Sequence, residues 1–352
     1  MSFPSSTIPG TRIDIDGVPH LYFGGTAYLG MQSDPEFLAH HAAHTRHLGT
    51  HWGASRIGNV ALPVYAAAEK ALAAWLGSPA CLTLSSGFLS ARLLAEFFVG
   101  QDHPCLFSPN CHEALLFPGA TREADWDRLG RALDHYTAGN SQVLPVVFTD
   151  ATGGSLRPGP VWDLLEPLGR NCILVVDDSH GLGITGPDGS GAWKPLQTMG
   201  FRELILCGSL GKAMGITGGL IAGSAARLQA LRKTSFFAGA SPAPPAGLAS
   251  LIQALDTGLY RQKLEQLREH MSYLWQRVRQ VIPLHGQESY PVMHFKDAAL
   301  SGYLRRHRVL ITEFQYPAEG GETSPSRIVL TAAHSREDIA YLADLLKAFE
   351  SS

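Results

Sequence analysis

Lys212 lies in the stretch Gly208-Ser209-Leu210-Gly211-Lys212-Ala213-Met214-Gly215, where glycines and small side chains let a ligand approach the backbone closely. Upstream, Asp177-Asp178-Ser179-His180 follows an apolar run at 172–176, and Ser85-Ser86-Gly87-Phe88 stands between another apolar run and a helical stretch. Backbone N–H groups at a helix start bind phosphate. A phosphate cradle, a carboxylate at a strand end and a lysine in a glycine-rich loop together point to pyridoxal 5'-phosphate (PLP). In that chemistry the lysine makes the covalent link and the aspartate keeps the pyridine nitrogen protonated. Taken singly, Asp177 reads as a cap or turn residue, Lys212 as a surface lysine and Ser86-Gly87 as an ordinary helix start. Their order and spacing carry the reading.

Such residues need a sheet to hold them. Short apolar runs at 80–84, 105–107, 143–148, 172–176, 204–207 and 219–222 alternate with helical stretches such as 87–98. This alternation predicts a mainly parallel sheet covered on both faces. The run 172–176 is apolar throughout, as a strand buried on both faces should be, whereas Pro145 weakens the first half of 143–148. Ligands of such sheets sit outside the C-terminal strand ends, where Asp177 falls.

Around this core, 12–30 reads as strand-rich with an Asp16-Gly17 turn, and 62–76 as a helix stopped by Gly77. Past Pro244-Pro245 the chain is helical over 247–282. Strands at 292–295, 309–311 and 327–330 follow, with a helix near 297–307 and a final helix that Ser335-x-x-Asp338 could cap. The expected fold is α/β. A large PLP-binding domain spans 46–245, and a connecting helix and smaller α+β domain span 246–352. The N-terminal segment, 1–45, joins the smaller domain.

Composition narrows the function classes. Of 352 residues, 45% are apolar and 17% charged, which excludes a disordered chain. With 28 basic against 31 acidic residues, no overall charge attracts nucleic acid or an anionic membrane. No apolar run is long enough to predict a membrane span, and the N-terminus does not read as a signal peptide. The five cysteines include no Cys-x-x-Cys pair, so neither a metal site nor a disulfide framework is expected, and a cytoplasmic protein fits. Gly181-Leu182-Gly183-Ile184-Thr185-Gly186 has dinucleotide-fingerprint spacing, but Pro187-Asp188-Gly189 follows where a helix would have to start. Nicotinamide binding is not expected.

From about Phe23 onward the chain resembles the α-oxoamine synthases among fold type I PLP enzymes, most closely the 8-amino-7-oxononanoate synthase and 2-amino-3-ketobutyrate CoA ligase branches. The matching stretches include Ala27-Tyr28-Leu29-Gly30, Gly53-Ala54-Ser55-Arg56, Ser86-Gly87-Phe88, His112, Asp177-Asp178-Ser179-His180-Gly181, Ser209 to Lys212, Pro244-Pro245 and Arg327 to His334. By this resemblance Lys212 holds PLP and moves protons at the substrate Cα, and Asp177 faces the pyridinium nitrogen. His180 lies near the cofactor's phenolic oxygen and His112 stacks over the ring. Ser86, Gly87, Phe88 and Ser209 contact the phosphate. Ser241 reaches a neighbouring subunit, which implies a homodimer with shared active sites. Arg327 grips the amino-acid carboxylate in a fork-to-fork pairing. Arg56 is a substrate-side candidate, with an interface or packing role as the alternative.

The resemblance implies an acyltransferase joining a small amino acid to an acyl thioester. An aminotransferase, or another fold type I enzyme, needs the same lysine and aspartate. A catalytically silent partner subunit would be expected to lose the lysine. The chain departs from the family pattern at Ala27 and Ala91, each in place of Asn, at Tyr65 in place of His, over 150–159, and in a short N-terminal extension. These departures bear on the acyl substrate.

Overall fold

A computed structural model describes residues 5, 8–138, 143–153, 157–278, 284–313 and 326–350. Residues 154–156 of the altered segment and the end of the 247–282 helical stretch lie outside them.

Six strands form the central sheet, in the spatial order Ala80–Leu84, Gly219–Gly223, Glu203–Ser209, Ile173–Asp177, Val146–Asp150, Cys105–Phe107. Gly219–Gly223 runs antiparallel to both neighbours and every other pairing is parallel. Successive side chains of a strand face opposite sides. Accordingly Leu174 and Val176 enter one hydrophobic core, and Ile173 and Val175 enter the other. The sheet is therefore buried on both faces, as its uninterrupted apolar strands require.

Proline shifts one strand start. The strand expected from 143 begins at Val146, whose N–H donates to the Pro104 carbonyl at 2.8 Å. Pro145 has no N–H to give, so pairing begins after it. The stretch past Pro244 is two helices, Pro245–Asp256 and Leu259–Val278, separated at Gly258 with φ +77°. The helix at Pro63–Leu76 ends on Gly77 in the left-handed region, as its sequence predicts.

Two small sheets pack beside this layer. Arg12–Ile15 and Val18–Phe23 form a hairpin, and Val18–Phe23 pairs in parallel with Val309–Ile311. Val292–Phe295 lies between His285–Gly286 and Ser326–Val329. A bridge between Thr312 and Arg327 links the two sheets. Ser335 and Asp338 cap the final helix reciprocally, each backbone N–H bonding the other's side chain at 3.1 Å. Among the described residues no helix is long and apolar enough to cross a membrane.

Candidate active site

The C-terminal edge of the central sheet gathers the chemistry. Asp177 is the last residue of Ile173–Asp177 and is buried, with Oδ1 accepting the Ser179 N–H at 2.8 Å. Its register partner on the next strand is Asp150. Burial, and then the Asp177 charge, hold the Asp150 carboxyl well above the usual carboxylate range. Asp150 was visible in the sequence only as part of an altered segment. Its place beside Asp177 comes from strand register.

Lys212 lies just past the end of Glu203–Ser209. The Gln32 amide donates to the carbonyls of Lys212 at 2.6 Å and Gly211 at 3.2 Å, which fixes the loop. Burial lowers the Lys212 amine below the ordinary lysine range, Asp177 and Asp150 oppose that shift, and the Arg327 charge adds to it. A lysine with a lowered pKa is a competent nucleophile and base.

Ser86 caps the helix Gly87–Val99, its Oγ accepting the Leu89 N–H at 3.1 Å. The first N–H groups of that helix have no partner within it and favour an anion. Gly87 packs so tightly on Ser209 that a Cβ there would lie 2.7 Å from its Cα, Cβ and N. Ser209 N–H in turn donates to Ser179 Oγ at 2.9 Å. Phe88 is exposed at the rim.

His112 enters from the segment after Cys105–Phe107. Its N–H donates to Asp150 Oδ1 at 3.0 Å, and its Nδ1 accepts the Ala114 N–H at 3.1 Å. The acceptor role leaves the proton of the neutral ring on Nε2. Burial lowers its pKa, with Asp177 opposing. His180 follows Asp177 by three residues, and its Nδ1 lies 2.8 Å from the Tyr28 hydroxyl. Burial, then the charges of Lys212 and Arg327, push it well below the ordinary histidine range, so it is neutral. Arg327, on Ser326–Val329, thus acts electrostatically on both Lys212 and His180.

Asp178 does something else. Its Oδ2 accepts the Ala192 N–H at 2.7 Å, and Cβ atoms on Gly181 or Gly191 would come within 2.0–2.1 Å of its oxygens. Burial raises this carboxyl to about 8. The glycines with fingerprint spacing therefore wrap a buried acid in a series of turns.

Arg56 sits in an ion-pair network. Its Nη2 is 3.0 Å from Glu69 Oε1, its guanidinium lies 4.2 Å over the Tyr65 ring, and Glu69 also binds Arg232. Tyr65 donates to the Ala243 carbonyl at 3.0 Å, tying this network to the segment that carries the exposed Ser241. Among the described residues no group of three metal-ligating side chains converges.

Comparison with known proteins places this arrangement. The family profile described as aminotransferase class I and II matches residues 28–346. The chain is 28% identical to the 8-amino-7-oxononanoate synthase of Halorhodospira halophila over 96% of its own length and 88% of the relative's. It is 29% identical to the enzyme of that name from Azoarcus sp., over 98% and 92%. It also matches the bifunctional biotin-biosynthesis protein BioWF of Cutibacterium acnes at 28% identity, but spans about half of that protein, 54% of its length. In fold it is similar to the serine palmitoyltransferase of Sphingomonas wittichii, with TM-score 0.82, 18% identity, and coverage of 96% and 89%. The S. paucimobilis enzyme of that name, solved with PLP and myriocin bound, gives TM-score 0.83 at 17% identity, over 99% and 92%. With its mixed α/β layers, its site at the strand ends and a profile match over most of its length, the chain belongs to the aminotransferase class I and II family, in the α-oxoamine synthase-like group of fold type I PLP enzymes.

Proposed function

We propose that this protein is a PLP-dependent C-acyltransferase that condenses a small amino acid, alanine or glycine, with an acyl thioester. The observation that carries the reading is the coupling of Lys212, Asp177, His112, His180 and Arg327 in one electrostatic cluster beside the Gly87 helix start. The residues fit PLP. The glycine-lined helix start and Ser209 suit a phosphate, Lys212 suits an aldehyde, and Asp177 suits a protonated ring nitrogen.

When bound, PLP supplies an electron sink for negative charge at the substrate Cα. The protein's own groups do the rest. Arg327 binds and orients the amino-acid carboxylate. Lys212 takes the Cα proton, and the burial that lowers its pKa enlarges the share of free amine able to do so. Cα then bonds to the thioester carbonyl carbon, and the thiolate leaves and is protonated. The carboxylate departs as carbon dioxide, and a proton returns to Cα. His112, held with Nε2 protonated, hydrogen-bonds the thioester oxygen as charge develops there.

In the active form Ser241 completes the phosphate site of a second copy, so that a homodimer shares two sites. Its exposure, together with exposed Ile57 and Val60 in the segment before Pro63–Leu76, supports this. A fully active monomer in sedimentation would refute it. Division of the chain near residues 45 and 245 belongs to the same reading. Transamination at the same residues is the second reading, favoured by the alanines at 27 and 91. Incubation with amino acid and acyl-CoA decides between them: free thiol release supports acyl transfer, and amino-group exchange with a keto acid but no thiol supports transamination.

A further inference from the structure

Tyr28 and Tyr290 converge on His180 from outside the central layer. The Tyr28 hydroxyl is 2.8 Å from His180 Nδ1, and the Tyr290 hydroxyl donates to the His180 carbonyl at 3.3 Å. Both tyrosines are buried, and their rings lie 6.4 Å apart. Burial keeps both phenols protonated, raising Tyr28 to about 12 and holding Tyr290 well above the ordinary tyrosine range. Each hydroxyl hydrogen therefore needs an acceptor. Tyr290 has the carbonyl. The Tyr290 hydroxyl also donates toward the Tyr28 oxygen, which leaves the imidazole nitrogen at 2.8 Å as the acceptor for Tyr28's own hydrogen. A phenol is the stronger donor and an imine nitrogen the stronger acceptor of that pair, so Tyr28 donates to Nδ1.

Tyr28, and Pro291 beside Tyr290, are anchored to the stretch that follows one strand. The Ala332 N–H donates to the Tyr28 carbonyl and the Leu330 N–H to the Pro291 carbonyl, each at 2.9 Å. Residues 330 and 332 directly continue Ser326–Val329, which carries Arg327. Gly30 sits against Ala333, where a Cβ would approach its Cβ to 2.9 Å.

We propose that Tyr28 and Tyr290 are positioning residues that lock His180 in one neutral tautomer, with Nδ1 accepting and Nε2 carrying the proton, and tie that histidine to the strand bearing Arg327. His180 then presents a fixed donor, Nε2–H, rather than a ring that samples both tautomers. Lys212, Arg327 and His112, the charged and titratable groups that act on it, all disfavour the imidazolium. The consequence for catalysis rests on the PLP reading above; the tautomer does not.

The test is nitrogen NMR of the full chain labelled with 15N-histidine, with and without PLP, the His180 signals being assigned by their loss in His180→Gln. The wild type should show an unprotonated Nδ1 and a protonated Nε2 across about pH 6 to 9, the range in which an ordinary histidine would titrate. Tyr28→Phe should mix the tautomers and reduce the Nδ1–Nε2 shift difference by half or more, and Tyr290→Phe should do so to a lesser degree. A wild-type ring with its proton on Nδ1 overturns the proposal whether or not the variants fold. So does an unchanged pattern in a folded Tyr28→Phe protein. Visible absorbance of PLP on the same samples separates the two readings. The predicted tautomer in a protein that takes no PLP sinks the functional reading and leaves this one, and a bound cofactor with the wrong tautomer does the reverse.

Discussion

Asp150 and Asp177 close adjacent parallel strands as register partners, and Asp150 carries its neighbour's charge as a constraint. Two carboxyls so placed do not both ionise readily. The raised one, Asp150, is also the acceptor for the His112 backbone N–H at 3.0 Å. One residue thus links Asp177 to His112.

Asp150→Asn should therefore be mild, because a neutral amide keeps the acceptor and the shape. Asp150→Ala should lower the rate of substrate α-proton exchange by roughly 5- to 100-fold, the range for a lost buried hydrogen bond of about 1–3 kcal/mol. Exchange in deuterated water, without acyl donor, measures both. Equal losses in the two variants would show that the Asp150 charge matters and not its acceptor role.

Asp177→Asn and Asp178→Asn should differ sharply. The first removes the carboxylate assigned to the ring nitrogen and should slow the same exchange about 100-fold or more, in line with roughly 3 kcal/mol for one such interaction. The second replaces a carboxyl at about 8, mostly neutral at pH 7, that binds Ala192 N–H within the glycine turns. It should leave exchange nearly intact. The reverse ranking would move the ring contact by one residue.

Gly87→Ala places a Cβ 2.7 Å from the Ser209 backbone, where nothing flexible can yield. Overpacking of this kind costs about 1–3 kcal/mol. The variant should lose PLP affinity out of proportion to its loss of stability. Equilibrium titration alongside thermal unfolding checks this, and undiminished affinity would remove the helix start from the phosphate site.

Stability should depend on pH in two windows. His334 and His294 are pressed by burial to about 4, below the roughly 6.5 of an unfolded histidine. Between those values the unfolded chain binds more protons, so their contribution is lost as pH falls from about 6.5 toward 4. Asp178 is raised to about 8, so between about 4 and 8 the folded state binds the extra proton and stability falls as pH rises. Above about 6.5 Asp178 acts without these histidines and contributes at most roughly 1.4 kcal/mol per pH unit, with the raised Asp150 carboxyl acting in the same direction. Denaturant unfolding should show a decline from pH 6.5 to 8 that Asp178→Asn makes shallower. An identical decline in the variant would assign it to other groups.

Much of the layer was legible because it depends on local pattern. The run at 80–84 and the end of the helix at Gly77 are set by apolar burial and a left-handed glycine, both readable residue by residue. The helix Pro35–Leu48 was not read: only Phe37 is fully buried among its histidines and alanines, so its apolar periodicity is faint. Lys212, Asp177 and His180 stand in short motifs and were nominated from sequence. Tyr290 and Asp150 were not, since one acts through a contact 110 residues away and the other through strand register. The sequence around Arg56 allows either a substrate-side or a packing role, and its guanidinium lies against Glu69 and Tyr65.

The account turns on Lys212 as the residue that holds PLP. Protein saturated with PLP, treated with borohydride and digested, should carry the cofactor's mass on the peptide containing Lys212. Lys212→Ala should carry none and should lack the visible absorbance. Labelling of another lysine, or an unchanged spectrum in Lys212→Ala, would contradict it.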